Sequence, residues 1–334
     1  MKKQIALLVF FALFALGCRI SFDLFDPPPL ATPILGAPPS ATPNIVAPPT
    51  FTPVVILPPP ATPTPFVDTP ALTVEQLKNG RFDLPGADGA ARSVQFENGQ
   101  FQQGSDPAQP GYVAVVMTDP VVFGDLDGDG AVDAAAVLVE NYGGTGQFVS
   151  VAAFLNRGGL PIYSASHFVD DRALVNAFAI HDGEIYLDAT IHGFEDPGCC
   201  PNLPTRRTLR LWDNNLVLAS FSSQTPTGAE RMINIESPAN DMQVDKVFTL
   251  RGSVSIAPFE NNLVYEVFIP GRSESFTIGP LTVNAPDFGA PGTFELPLNF
   301  SASGYSGLVR ITLSDLSAAD GSLLALDALF VTVK

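Results

Sequence analysis

Four aspartates crowd into Gly124-Asp125-Leu126-Asp127-Gly128-Asp129-Gly130-Ala131-Val132-Asp133. Carboxylates this close along a chain repel one another unless a hard cation neutralises them. Their spacing is that of a calcium loop, with Asp125, Asp127 and Asp129 at positions one, three and five. Gly130 stands at position six, where the chain must turn sharply, the carbonyl of Ala131 falls at seven, and Asp133 at nine supplies a direct ligand. Calcium takes six to eight oxygens at about 2.3–2.6 Å in tolerant geometry, whereas magnesium demands tighter octahedral packing. Position twelve is Ala136 rather than a bidentate glutamate, so the loop departs from the helix-loop-helix form. The expected ligand set is therefore Asp125, Asp127, Asp129, Ala131 and Asp133, and the expected role is structural. The competing reading is a water-exposed Asp-Gly turn.

A second constellation is His192-Gly193-Phe194-Glu195-Asp196-Pro197-Gly198-Cys199-Cys200-Pro201. Three readings stay open for Cys199 and Cys200. One is a vicinal disulfide, which an oxidising compartment and two flanking prolines favour. Another is a pair of free thiols. The third is a soft-metal or redox site with His192, although adjacent cysteines lack the gap that lets such pairs chelate zinc. His167 and His181 have no evident partners and receive no role. Trp212 reads as part of a half-buried strand. The chain shows no nucleophile elbow, phosphate loop or zinc-protease helix.

The elements that must position these residues are short alternating strands. Asn79-Gly80, Asn98-Gly99, Gly143-Gly144 and Asp182-Gly183 are expected hairpin turns. Residues 73–78 suit one helical turn. Residues 134–139 have helical propensity, but their valines and the turn that follows favour strand. Residues 71–226 thus form an expected β-rich domain around the aspartate loop. Phe123 to Gly130 with Asp133 resembles the calcium loops of FG-GAP and integrin-like repeats, which join β-strands. The loop occurs once, so the resemblance carries the loop and not a propeller. The stretch from Asp125 through Asn156-Arg157-Gly158-Gly159 to Cys199-Cys200-Pro201 also resembles uncharacterised secreted bacterial domains, which implies no activity.

From residue 227 onward the strands are spaced like a sandwich, beginning at Ile233-Asn234-Ile235-Glu236-Ser237-Pro238. The other candidates span 248–256, 263–269, 275–282, 293–300, 307–315 and 328–333. Ile235 to Pro238, Leu250-Arg251-Gly252, Phe259-Glu260, Gly292-Thr293-Phe294 and Ser317 to Ser322 resemble, in that order, the immunoglobulin-like domain named for bacterial spore-germination proteins. That resemblance implies an extracytoplasmic binding or assembly module with no catalytic residues, over 227–334.

The N-terminus has Lys2 and Lys3, an apolar run from Ile5 to Leu16, then Gly17-Cys18. A dozen residues cannot span a bilayer, so residues 1–17 read as a cleaved signal. Ala15-Leu16-Gly17-Cys18 resembles the bacterial lipobox, which implies lipidation of Cys18 and extracytoplasmic anchoring to the bacterial cell membrane by lipid. Residues 18–70 are proline-dense with a ten-residue period, as in Ala31-Thr32-Pro33, Ala41-Thr42-Pro43, Phe51-Thr52-Pro53 and Ala61-Thr62-Pro63. Such a segment cannot build a core. It is expected to be a disordered spacer reaching on the order of 100 Å in polyproline II form.

The chain carries 17 basic and 34 acidic residues, for a net charge of −17. That balance makes nucleic acid and anionic surfaces poor partners and cations good ones. The sequence as a whole predicts a mainly β, lipid-anchored, non-enzymatic envelope protein. In it a stalk lifts a calcium-loop β domain and an immunoglobulin-like β-sandwich, with cell-wall glycan or another envelope protein as partner. The alternatives are an envelope-associated enzyme or accessory subunit with its site in 71–226, and a purely structural surface spacer.

Overall fold

The computed structural model describes residues 69–334. The expected signal peptide, the lipidation site Cys18 and the proline-threonine stalk lie outside the described residues. Within them the chain is almost entirely β, with several antiparallel sheets and one short α-helix, Val74–Lys78. None of the described helices is long and apolar enough to cross a membrane.

A helix of 5 residues cannot stand on propensity alone. Thr73 Oγ1 accepts from the Gln76 N–H at 3.2 Å and Gln76 Oε1 accepts from the Thr73 N–H at 2.9 Å, a reciprocal capping box. Leu77 is fully buried. Asn79-Gly80, expected as a hairpin turn, instead ends this helix, the Asn79 N–H donating to the Glu75 carbonyl at 3.1 Å. Asp182-Gly183 does form a two-residue hairpin turn between Leu174–His181 and Glu184–Ile191, with φ of 50° and 78° as a type I′ turn requires.

One sheet has the order Gln100–Gln103, Val113–Met117, Asp133–Asn141, Phe148–Asn156, Pro161–Asp171, with Val122–Gly124 also paired to Asp133–Asn141. The helix and the hairpin Arg81–Pro85/Ala91–Gln95 cover one face, where Leu77, Phe82 and Phe96 meet Ala134, Ala136 and Phe154. The other face packs Ala135, Val137 and Val151 against Ile185, Leu187 and Leu209 of a second sheet. Residues 134–138 are all buried because their strand is covered on both faces. A strand in that position reads as an unbroken apolar run.

The second sheet has ten strands. Its main path is Thr277–Thr282, Asn262–Phe268, Gly307–Leu316, Leu323–Val333, Asn215–Gln224, Leu203–Trp212, Glu184–Ile191 and Leu174–His181. It therefore runs unbroken past residue 226. The joint is Ser220 opposite Asp327 and Phe221 opposite Leu326, with Ser223 Oγ donating to the Leu324 carbonyl at 2.6 Å. Ala219, Phe221, Ala328 and Phe330 form a small core at this joint, with Trp212 packed against it.

Beyond the joint, Ile233–Ser237, Val247–Val254 and Gly292–Asn299 form a three-stranded sheet. It faces the four strands at the far end of the ten-stranded sheet, making a β-sandwich filled by Leu250, Phe294, Leu298, Val309, Ile311 and Leu329. Alternation is strict along Gly292–Asn299, where every second residue is buried. The last strand starts at Leu323, earlier than its alternation suggests, because its first residues pair with both Gly307–Leu316 and Asn215–Gln224.

Candidate metal centre

The aspartate loop joins Val122–Gly124 to Asp133–Asn141, two strands already paired, with Gly124 opposite Asp133. Its ends are thus fixed by the sheet. The hairpin Leu174–Ile191 packs against it so closely that a Cβ on Gly124 would lie 2.4 Å from Ile180 Cγ2. Gly130 has a φ of 85°, which lets the chain reverse and aim its N–H inward.

Asp133 is fully buried. Its Oδ2 accepts from the Leu126 N–H at 2.8 Å and its Oδ1 from the Asn156 N–H at 2.7 Å. Burial pushes this carboxyl above the usual range; the two N–H donors oppose that shift and the charges of Asp127 and Asp129 add to it. Asp125 accepts from the Gly128 N–H at 2.8 Å and the Gly130 N–H at 2.9 Å. Each oxygen so engaged keeps a second lone pair. Carboxylate oxygens of Asp125, Asp127 and Asp133 all lie within 4.8 Å of one another, and this triad could hold a metal ion. An all-oxygen donor set suits a hard cation.

Asp129 stands apart from that triad. It accepts from the Ala131 N–H at 2.8 Å and from Arg157 Nη1 at 2.7 Å, while Arg157 Nη2 reaches Asp127 at 2.6 Å. A half-exposed guanidinium thus bridges two loop carboxylates. Ala131 contributes its N–H to the loop's internal bonding. Asn156 ends the strand Phe148–Asn156 and Arg157 follows it directly, and the Asn156 side chain donates to the carbonyls of Val132 and Pro70 at 3.2 and 2.9 Å. Both bear on the loop, yet 23 or more residues separate them from the aspartates they touch, so spacing alone gave no sign of it.

The loop forms one wall of a cleft of about 780 Å³. Asp182, Glu184, Asp213 and Asp241 line it beside Asp125 and Asp127, and among the described residues Arg210 is its one cation. Arg210 pairs with Asp241 at 2.6 Å. Burial raises the Glu184 carboxyl, and Arg210 partly offsets this. Asp182, Asp213 and Asp241 come from three turns that the sequence scatters over some sixty residues, and Glu184 opens the strand after the first of them.

His192 lies elsewhere. Its backbone N–H donates to Asp170 Oδ2 at 2.6 Å and its Nδ1 lies 2.8 Å from the same oxygen. Cys199 and Cys200 are joined as an exposed vicinal disulfide, in a loop that Asp196 closes by accepting from the N–H groups of Gly193 and Asn202, each at 2.8 Å. Among the described residues the aspartate triad is the metal-ligating group that converges; His192 and the two cysteines do not join in one. Burial brings the His167 pKa down to about 4, and nearby Arg207 pushes the same way.

No known protein family matches the chain, and no curated protein matches it.

Proposed function

We propose that this chain is a lipid-anchored, extracytoplasmic, non-catalytic binding or assembly protein stabilised by calcium. The observation that carries the reading is the meeting of Asp125, Asp127 and Asp133 at the base of a loop whose innermost carboxylate is fully buried. A cation there offsets the mutual repulsion of the three charges and clamps the loop against the Asp182-Gly183 turn. The likeness of the loop to FG-GAP and integrin-like calcium loops selects calcium. The likeness of 227–334 to an immunoglobulin-like module selects binding or assembly, with cell-wall glycan or another envelope protein as the partner. Cys18 supplies the anchor, and the loss of membrane attachment in Cys18→Ser is its test.

The deciding experiment is thermal unfolding with calcium, with magnesium and with chelator. A ligand that binds only the folded state at a hundredfold excess over its Kd adds about 2.7 kcal/mol. For a chain of this size that is a rise in Tm of roughly 5–10 °C. The rise is expected with calcium, much less with magnesium, and is expected to vanish in Asp127→Ala. An unchanged Tm in the wild type sinks the calcium reading. The shared sheet makes the whole chain the right sample, since a fragment ending near residue 224 would lose the partner of Asn215–Gln224.

One observation favours a second reading, an envelope-associated enzyme. Glu184, raised by burial, shares a cleft with Asp182, Asp213 and the loop acids. Release of reducing ends from isolated cell-wall glycan, abolished by Glu184→Gln, would establish it. Binding without release keeps the non-catalytic reading. The cleft itself weighs against a purely structural spacer.

A further inference from the structure

A second cavity, of about 410 Å³, opens where the two halves join. Arg207, His192, Phe194, Phe221, Leu203 and Leu324 line it. Arg207 sits on the inward face of Leu203–Trp212, in line with Thr205 and Leu209, and is only 5% exposed. Among the described residues its side chain makes one hydrogen bond, from Nη2 to Thr205 Oγ1 at 3.3 Å, and Nε is buried without a partner. No carboxylate among the described residues lies within ion-pair distance of it. Asp170, the acid whose charge it feels, is already engaged with His192. The guanidinium carbon lies 5.2 Å from the Phe221 ring centroid, which holds the planar group in place. Burial lowers its pKa to about 10, so it stays charged at neutral pH.

Buried charges are normally paired, and this one lines a cavity instead. His192, which also lines the cavity, has its Nε2 buried without a partner among the described residues. We propose that this cavity binds a small organic carboxylate with an apolar body, the carboxylate pairing with Arg207. A guanidinium presents two parallel N–H donors that match a planar carboxylate. The other arginine at the cavity, Arg231, is spent on Asp315 at 2.8 Å, so one positive charge is available and a monoanion fits better than a doubly charged phosphate. Val169, Ile191 and Leu203 give the rest of the ligand an apolar seat. Phe194, 66% exposed, stands at the mouth. The inference is independent of the calcium loop.

Calorimetric titration of the full chain, in detergent at pH 7, with benzoate, the neutral isostere benzamide and inorganic phosphate tests it. Benzoate is expected to bind with 1:1 stoichiometry and at least tenfold more tightly than either benzamide or phosphate. Arg207→Met should weaken benzoate tenfold or more while leaving the calcium response of Tm unchanged. Should that variant fail to fold, Arg207→Lys, which keeps the charge and loses the fork, should weaken it several-fold. Phe194→Ala should weaken benzoate a few-fold with Tm unaltered. Equal binding of benzoate and benzamide, no binding of benzoate, tighter binding of phosphate, or wild-type affinity in the Arg207 variants would each overturn the proposal.

Discussion

Replacing Asp327 by Asn should reverse its effect on stability between acid and alkaline pH. Asp327 sits at the joint opposite Ser220, and its Oδ2 and Oδ1 accept from the N–H groups of Ile235 and Ala328 at 2.6 and 3.0 Å. Burial raises its pKa to about 7, against an ordinary value of 3.8, with the two N–H donors opposing the shift. Between these values the unfolded chain releases a proton that the folded chain retains. Stability from this group is therefore highest below about pH 4, declines as pH rises towards 7, and is flat above. The span is on the order of 4 kcal/mol. Asparagine keeps one acceptor and leaves the other N–H short of a partner, which costs about 1–3 kcal/mol at every pH. The variant should thus be the less stable protein at pH 4 and the more stable at pH 8. Urea unfolding in chelator, followed by the fluorescence of Trp212 at the joint, reads this directly. A stability difference that stays constant within about 1 kcal/mol from pH 4 to 8 would refute the reasoning.

Arg157→Gln removes the guanidinium that holds Asp127 and Asp129, so the chain should lose stability in chelator and gain a larger calcium-induced rise in Tm, since two acceptors are freed for the ion. Gly124→Ala places a Cβ 2.4 Å from Ile180 Cγ2 and should lower stability by about 1–3 kcal/mol, measured by urea unfolding. His167, its folded pKa lowered to about 4 by burial, contributes stability above about pH 6.5 that is lost as pH falls towards 4; His167→Gln should flatten that decline. Calorimetry of the whole chain should show a single unfolding transition, because Asn215–Gln224 belongs to both halves, whereas Phe221→Ala, which hollows the joint core, should lower Tm and separate two.

Local chemistry was legible in the sequence wherever neighbours in the chain are neighbours in space. The helical turn at 73–78, the Asp182-Gly183 turn and the alternation of Phe294, Leu296 and Leu298 belong to this kind. So does the meeting of Asp125, Asp127 and Asp133, held by a loop between paired strands. Non-local partners were not legible. Arg157 drawing Asp129 away from the triad, and Glu184 facing the same cleft as Asp213, depend on which strands lie side by side. Arg207 carried a faint signal, a charged residue on the inward phase of Leu203–Trp212, but it reads as an ordinary strand arginine until the cavity beside it is seen. Residues 134–138 were ambiguous because a strand covered on both faces loses the period-two pattern that identifies strands.

The position of Leu323–Val333 imposes an order on how this protein is made. It lies in the interior of the ten-stranded sheet, between Gly307–Leu316 and Asn215–Gln224, and its Asp327 pairs with Ser220, more than a hundred positions earlier. While the chain is synthesised from its N-terminus, Asn215–Gln224 can pair with Leu203–Trp212 and, at Ser223 and Gln224, with Glu230–Arg231, but must keep the rest of its other edge open at Ser220 and Phe221. An open, partly apolar edge invites pairing with other chains. Closure of this sheet waits for Leu323–Val333 to emerge, and any nascent chain stalled before it leaves the ribosome with that edge bare.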